Sequence, residues 1–509
     1  MKSRLFAVAA ALLAAGLAQP AFAQKSKDTL RYPIAGGESV LDPYLAPSLF
    51  NEMWEGSVFD NLLGFDPETG RFLPLLAKSW AQPDPTTYEY ELRDDVKWHD
   101  GQPVVADDVV YTLTYLTDPK VNLRYKASWA WVKSVEKLGP KKVRIRSKYP
   151  VPDGMMWMVQ GTPIFPAHIH GPLADKQAFG AAPVGTGPYK LVKIDKNTGI
   201  VAEKNPYFVS GPAKKAAAIG RVVAEPIPDV GTMVAKMLTG EIDLARNLPV
   251  DQTVALRDSG LFEITLAPRN LANSFIGFPS AGAQNVEALG DPRVRLAIVK
   301  AIDRKALVNL KYGVLADGAQ PLDGLCFKEQ LGCDFTRPVP DYDPAGAKKL
   351  LEEAGYGNGF DVTISTFPNA VAEVTAVSGM LRAVGIRASV YQHPPTQRVQ
   401  LLSQGKVDIG YYTWSGGGMF EVSPQTARYF LSNEYDDPVL MKMAEASNAM
   451  MNGPERNKAV AAVYDMANEK AYAFGMLPAR AIFTHTKELK MTVTGMRATE
   501  INPHDFAWK

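Results

Sequence analysis

The order of apolar and polar positions already divides the chain into elements. Residues 29–34, TLRYPI, form a short strand candidate, and the apolar and aromatic positions from Leu49 to Leu63 fit a helix. Residues 71–109 are the most densely patterned stretch. There Tyr88, Tyr90 and Leu92 alternate with Glu89, Glu91 and Arg93, the period of a strand with one buried face. Val96 and Trp98 extend that alternation past Asp94 and Asp95. His99, Asp100, Gly101, Gln102 and Pro103 then read as a turn, and Asp107 and Asp108 open an apolar run through Val109, Val110 and Leu113. The predicted order is strand, turn, strand, turn, helix.

Farther along, Asp291 caps a predicted helix with Pro292 in its first turn, and Val294, Ile298, Ala301, Ile302 and Val308 make one apolar stripe. Asp343 and Pro344 begin a second such helix, which buries Ala347, Leu350 and Leu351 and stops at Gly355. The pattern then alternates: strand 361–366, a helix ending near Gly385, strand 386–391, a helix through Val399 and Leu402, and strand 407–414. Short strands separated by helical runs imply a sheet with helices on its faces. A helix from Pro454 to Lys470 and a strand at 481–486 close the chain.

A length of 509 residues exceeds one ordinary domain and suits two or three lobes. Lys2 and Arg4 precede an apolar run from Leu5 to Leu17, followed by Ala21, Phe22 and Ala23 as a small-x-small processing site. This predicts a secretory signal peptide, cut after Ala23. No cysteine follows the run to carry a lipid, and no other apolar stretch approaches the roughly 18 residues needed to cross a bilayer. Removing Lys2 and Arg4 from 55 basic residues leaves 53 against 54 acids, a balance that gives no support for nucleic acid or an anionic membrane as partner.

Cys326 and Cys333 are the two cysteines. In an exported chain they are expected to pair, closing a loop worth roughly 2.5 kcal/mol by chain entropy; two unpaired thiols are the alternative. Ser134, Val135, Glu136 and Lys137 spell the S-x-x-K of penicillin-recognising enzymes, without an accompanying S-D-N or K-T-G. There is no G-x-S-x-G and no H-E-x-x-H. His168 and His170 have a spacing that could bring two imidazoles to one metal, but no third ligand is implied. Gly416, Gly417 and Gly418 follow a strand and do not open a helix in a phosphate-binding frame. The segment Tyr411–Phe420 therefore occupies a strand end, where α/β sheets place ligands.

FLPLLAKSW and YEYELRDDVKWHDGQPVVADDVVYTL, with Pro74, Leu76, Ala77, Trp80, Arg93, His99, Asp100, Gly101, Pro103, Ala106 and Asp108, resemble the signature of the family 5 solute-binding proteins. These are extracytoplasmic receptors of peptide, dipeptide and nickel ABC importers. Trp98 stands where the family usually has phenylalanine. Phe165, Pro166 and His168, the turn Gly185–Tyr189, Asn205–Tyr207, Gly240–Asp243 and Asp291–Arg304 extend the resemblance through most of the chain.

The resemblance implies a two-lobed α/β fold of the periplasmic-binding-protein kind, with an additional subdomain inserted in the first lobe. The expected division is signal peptide 1–23, first lobe 24–63, 183–268 and 478–509, inserted subdomain 64–182, and second lobe 269–477. Two crossings would join the lobes, near residues 268–275 and 474–480. The implied function is capture of a peptide or peptide-like solute and delivery to a permease, by a monomer with no catalytic group, cofactor or metal. Candidate contacts from strand ends are Asp42 and Tyr44 on one lobe, and Asn273, Phe275, Trp414, Ser415, Gly416 and Phe420 on the crossing and the other lobe. Dipeptide receptors of the family carry an aspartate three residues after the equivalent tryptophan, where it pairs with the peptide ammonium. Here that position is Gly417, with Glu421 a substitute only from a shifted loop. A non-peptide solute (a nickel chelate, a sugar or a plant-derived conjugate) is the alternative within binding proteins, and a hydrolase using Ser134 and Lys137 the alternative outside them.

Overall fold

The computed structural model describes residues 28–34, 39–46, 49–123, 126–267, 272–316, 318–327, 330–394, 397–414, 421–430, 434–493 and 501–509. The expected signal peptide, Gly36, Gly37 and Ser415–Phe420 lie outside these residues.

Four sheets of three or more strands carry the described architecture. In the N-terminal sheet, Thr29–Ile34 pairs in parallel with Arg221–Pro226, followed by antiparallel strands Gly199–Lys204 and Tyr189–Asp195. Leu30, Tyr32, Ile200, Ala202, Val222 and Ala224 put one face of it into a large core. A three-stranded sheet places Ile482–Thr486 between Leu244–Arg246 and Phe262–Leu266, so the end of the chain fills the middle of a sheet begun far upstream.

The four-stranded antiparallel sheet has the order Ala77–Asp84, Thr87–Leu92, Lys142–Ser147, Val132–Gly139. The alternation at Tyr88, Tyr90 and Leu92 is realised as a buried face, covered together with Val143 and Ile145 by the helix Ala106–Thr117. The expected second strand through Val96 and Trp98 is reduced to an isolated bridge between Lys97 and Pro103. The turn closes too soon for a ladder: Trp98 N donates to the Gln102 carbonyl at 2.8 Å, and Gly101 sits at φ 89°.

The five-stranded sheet has the order Arg387–Gln392, Asp361–Thr366, Ile409–Trp414, Asn273–Gly277, Ala473–Pro478. Its first three strands are mutually parallel, and Asn273–Gly277 runs against both its neighbours. One face, with Ile276, Ile364 and Tyr411, packs under the helices Pro292–Lys300 and Val371–Arg382. The other, with Phe275 and Tyr412, packs under Ser423–Phe430, Pro438–Asn448 and Pro454–Glu469. The stripe predicted from Val294 to Val308 belongs to two helices, because Asp303 accepts the Ala306 amide and caps a new helix, Arg304–Tyr312. Likewise the helix predicted over 49–63 ends at Val58, and Leu63–Asp66 pairs with Arg71–Pro74.

Two passages connect the three-stranded and five-stranded sheets. One runs from Leu266 to Asn273 and the other from Pro478 to Ile482. They are bonded to each other, Ala267 N to the Ala481 carbonyl and Ala479 N to the Ala272 carbonyl, both at 2.9 Å, with Arg480 Nε donating to the Ala267 carbonyl at 3.0 Å.

Candidate functional site

The parallel strands Asp361–Thr366, Arg387–Gln392 and Ile409–Trp414 end side by side. From the central one the chain passes through Val371–Arg382 to one neighbour, then returns across it to the other. That reversal of winding makes the carboxyl ends of these strands a topological switch point, where open α/β sheets take ligands. The residues there are aromatic. Phe367 lies 4.6 Å from Tyr412 and 5.5 Å from His393 between ring centroids, and His393 Nε2 is hydrogen-bonded to the Tyr412 hydroxyl at 3.2 Å.

Arg398, the first residue of the following short helix, lays its guanidinium 4.8 Å over the Tyr412 ring. Its Nη2 donates to both carboxylate oxygens of Glu434, at 2.9 and 2.7 Å. Yet Arg398 is only 5% exposed, and its Nε and Nη1 have no hydrogen-bond partner among the described residues. A buried N–H left so costs about 1–3 kcal/mol, which an incoming acceptor would recover. Ser365, near the end of the central strand, buries an equally unpartnered hydroxyl. This strand-end rim can thus stack a flat or apolar group and receive a hydrogen-bond acceptor, preferably anionic.

The predicted contacts are distributed unevenly. Asn273 and Trp414 are register partners at the crossing, and Phe275 faces Tyr412 in the next antiparallel pair. Asn273 spends its amide within the second lobe, donating to the Leu325 carbonyl at 3.0 Å and accepting from the Tyr429 hydroxyl at 3.3 Å. Phe275 packs edge-on against Tyr429. Asp42 and Tyr44 are inside the first core instead. Asp42 Oδ1 accepts the Tyr44 and Leu45 amides, and burial pushes its carboxyl above the usual range although those two N–H groups pull it down. The Tyr44 hydroxyl donates to the Pro163 carbonyl, among Trp129 and Phe165. Ser415, Gly416 and Phe420 fall outside the described residues, as does Gly417.

Glu421 cannot replace the missing aspartate from where it stands. It is fully buried, paired with Arg456 at 2.5 Å and accepting the Ser423 amide at 2.8 Å. Cys326 and Cys333 form a disulfide, and the loop they close is strapped to this spot, Val422 N donating to the Leu331 carbonyl at 3.0 Å.

The other chemical candidates are absorbed by the scaffold. Ser134 and Lys137 lie on the strand Val132–Gly139, where residues three apart point to opposite faces, and Lys137 pairs with Asp107 at 2.7 Å. His168 meets Asp100 at 2.7 Å near the surface, while the buried His170 bonds Tyr111 through Nδ1, so the two rings diverge. Among the described residues no group of three or more His, Cys, Asp or Glu could hold a metal ion, and no helix is long and apolar enough to cross a membrane.

Phe367, His393, Arg398 and Glu434 were not singled out by the sequence pattern. Phe367 directly follows a predicted strand and His393 comes two residues after another, a signal that was available; the Arg398–Glu434 pairing spans 36 residues and has no local signature.

Comparison with known proteins gives three results. The family model for the bacterial extracellular solute-binding proteins, family 5 Middle, matches residues 71–437. The glutathione-binding protein GsiB of Escherichia coli (strain K12) is 27% identical over 513 residues, spanning 95% of this chain and 94% of that protein. Among solved structures, NikA from Brucella suis in complex with Fe(III)-EDTA superposes with a TM-score of 0.82 at 21% identity, covering 94% of this chain and 100% of that one. The dipeptide-binding protein from Pseudoalteromonas sp. SM9913 in complex with Met-Leu does so with a TM-score of 0.76 at 20% identity, over 94% and 100%.

Proposed function

We propose that this chain, which belongs to the bacterial extracellular solute-binding proteins of family 5, holds a short, carboxylate-bearing, peptide-like solute against the strand-end rim of its five-stranded sheet. The family is that of periplasmic receptors for ABC importers, so the protein captures a solute and delivers it to a membrane permease, and no bond is made or broken. Capture by such receptors is an equilibrium between open and closed lobes, biased by the solute's preference for the closed one.

The observation that carries the choice of solute is Arg398, a buried guanidinium with two nitrogens that have no hydrogen-bond partner among the described residues, beside Phe367, His393 and Tyr412. A carboxylate fits that vacancy in charge and hydrogen bonding. The full-length likeness to a glutathione-binding protein supports a solute of that size and kind. Trp414, the last residue of its strand, and Ser415, Gly416 and Phe420 after it in sequence would complete the site, with Asn273 and Phe275 supporting it from the crossing. Asp42 and Tyr44 would support the first lobe from within its core.

A second reading, a non-peptide anionic solute such as a chelate or a plant-derived conjugate, is favoured by one observation. Gly417 offers no carboxylate and Glu421 is held by Arg456, so neither is available to a peptide ammonium. Isothermal titration of the purified protein separates the two. Reduced glutathione should bind, and its N-acetylated form should bind nearly as well, because the ammonium is not the anchor. Submicromolar binding of unblocked dipeptides that is lost on N-acetylation would overturn the proposal.

The same reading assigns cleavage after Ala23, a monomeric mature protein and the lobe boundaries given above. Two features support that division: Ile482–Thr486 returns to pair with Leu244–Arg246 and Phe262–Leu266, and residues 77–147 form a separate antiparallel sheet.

A further inference from the structure

The segment after the helix-flanked strand Lys142–Ser147 reaches across to the second lobe. Asn452 makes the join: its Nδ2 donates to the Pro152 carbonyl at 2.9 Å, and its Oδ1 accepts from Arg456 Nη1. Arg456 is fully buried, paired with Glu421 and donating to Ser423 Oγ at 2.5 Å. Leu331, from the disulfide loop, packs on the core of the first lobe and inserted sheet. Its neighbour Gly332, at φ 78°, lies so close that a Cβ there would stand 2.3 Å from Arg456 Nη1. The second lobe therefore presents a stiff, fully buried Glu421–Arg456 pair to residues 152–153.

Asp153 directly follows Pro152 at this junction. It is 9% exposed, and its Oδ2 accepts the Trp157 indole N–H at 3.1 Å. The groups acting on it are Glu421 and Arg456 from the second lobe and the Trp157 indole from its own helix, while the Tyr88 hydroxyl of the inserted sheet feels its charge in turn. At this junction Asp153 feels the charge of a second carboxylate, Glu421, and of the guanidinium of Arg456, which Glu421 already holds.

We propose that Asp153 is a proton-operated latch between the inserted subdomain and the second lobe: a neutral Asp153 lets the two meet at Asn452 and Arg456, and an ionised one drives them apart. The inference rests on the two-lobed capture reading and adds to it a residue that positions the lobes without touching the solute.

The sign of the coupling follows from the surroundings. Burial first, then the charge of Glu421, raises the Asp153 carboxyl from an ordinary 3.8 to about 7, against the lowering influence of Arg456 and Trp157. With the lobes apart, water reaches Asp153 and its carboxyl returns toward the ordinary range. The closed form therefore binds more protons, and closure weakens as pH rises between those limits, by up to about tenfold per unit, then levels off above about 7.

Single-molecule energy transfer on the solute-free protein tests this, with dyes on Lys120→Cys and Lys349→Cys, both exposed positions. The wild-type ratio of closed to open molecules should fall at least tenfold from pH 5 to pH 7. Asp153→Asn, which keeps an acceptor for Trp157, should move less than twofold over that range. Asn452→Ala should lower the ratio at every pH while keeping the wild-type slope. A wild-type ratio that does not change with pH, or an Asp153→Asn protein that keeps the wild-type slope, overturns the latch. Because no solute is present, failure of glutathione to bind bears on the capture reading alone.

Discussion

The turn at 98–108 and the strand-end rim are both polar clusters set among aromatics, and they treat their hydrogen bonds in opposite ways. In the turn the carboxylates and the imidazole close on partners of the fold. Asp108 accepts the Val105 and Ala167 amides at 2.9 Å and the Trp98 indole at 3.3 Å. His99 accepts the Gly185 amide and bonds the Gly187 carbonyl, both at 3.1 Å, and Asp100 holds Gln102 N and His168. At the rim, among the described residues, Arg398 keeps two nitrogens and Ser365 one hydroxyl without hydrogen-bond partners. A cluster that satisfies itself is scaffold, however catalytic its residue types look. Unspent bonding capacity occurs in the core as well, at His170 Nε2 and Asp42 Oδ2, and it bears on a ligand at the rim because there it lies beside the ends of parallel strands.

That contrast breaks most directly at Asp108. Replacing it with alanine leaves three donors without an acceptor, the buried Trp98 indole and the part-buried Val105 and Ala167 amides, and should cost about 4 kcal/mol of stability, read by urea unfolding, while the protein that remains folded keeps its solute preference. Arg398→Met should be the mirror image. Glu434 loses its guanidinium, at about 3 kcal/mol, and affinity for a carboxylate-bearing solute falls about 100-fold by titration calorimetry. The double variant Arg398→Met, Glu434→Gln should regain most of the stability and none of the affinity. Equal recovery of both would erase the distinction between the two clusters.

Smaller effects sharpen the comparison. Cys326→Ser with Cys333→Ser opens a loop of sequence separation 7 and should lower stability by about 2.5 kcal/mol in thermal or urea unfolding. The last and smallest effect is one of pH. Burial lowers both His99 and His170 to about 4, so the fold keeps them neutral. Their contribution is complete above the unfolded value near 6.5 and drains as pH falls toward 4. Unfolding midpoints should show a loss of about 1 kcal/mol per histidine between pH 6.5 and 5, and His99→Gln should flatten the curve. Over the same window the Asp153 junction tightens, so acid loosens the inserted subdomain while drawing it toward the second lobe.

Much of the scaffold was legible in the sequence because its signals are local. Strand 29–34 and strand 361–366 fall where alternation puts them, and Asp291 and Asp343 cap the helices they precede. Periodicity could not show the break at Asp303, because the apolar stripe continues across both helices and only the side-chain cap marks the restart. Nor could it separate Val96 and Trp98 from a true strand, since alternation reports which side chains are buried and not whether a partner strand lies alongside. The site was harder still. Asp42 and Tyr44 sit in a loop after a strand, the right kind of place, yet their polar atoms are turned into turn and core bonds. Arg398 reads as one more helix-start arginine until folding brings Tyr412 and Glu434 to it.

The return of the chain to the middle of the three-stranded sheet also bears on how the protein is made. Until Ile482–Thr486 has been synthesised, Leu244–Arg246 and Phe262–Leu266 have no strand between them to pair with. Residues 273–478, by contrast, already contain all five strands of their own sheet. A growing chain can therefore complete one half while the other stays unfinished, a delay set by long-range strand pairing. For a protein that must cross a membrane before it works, keeping one half open until Ile482–Thr486 arrives is an advantage in the topology itself.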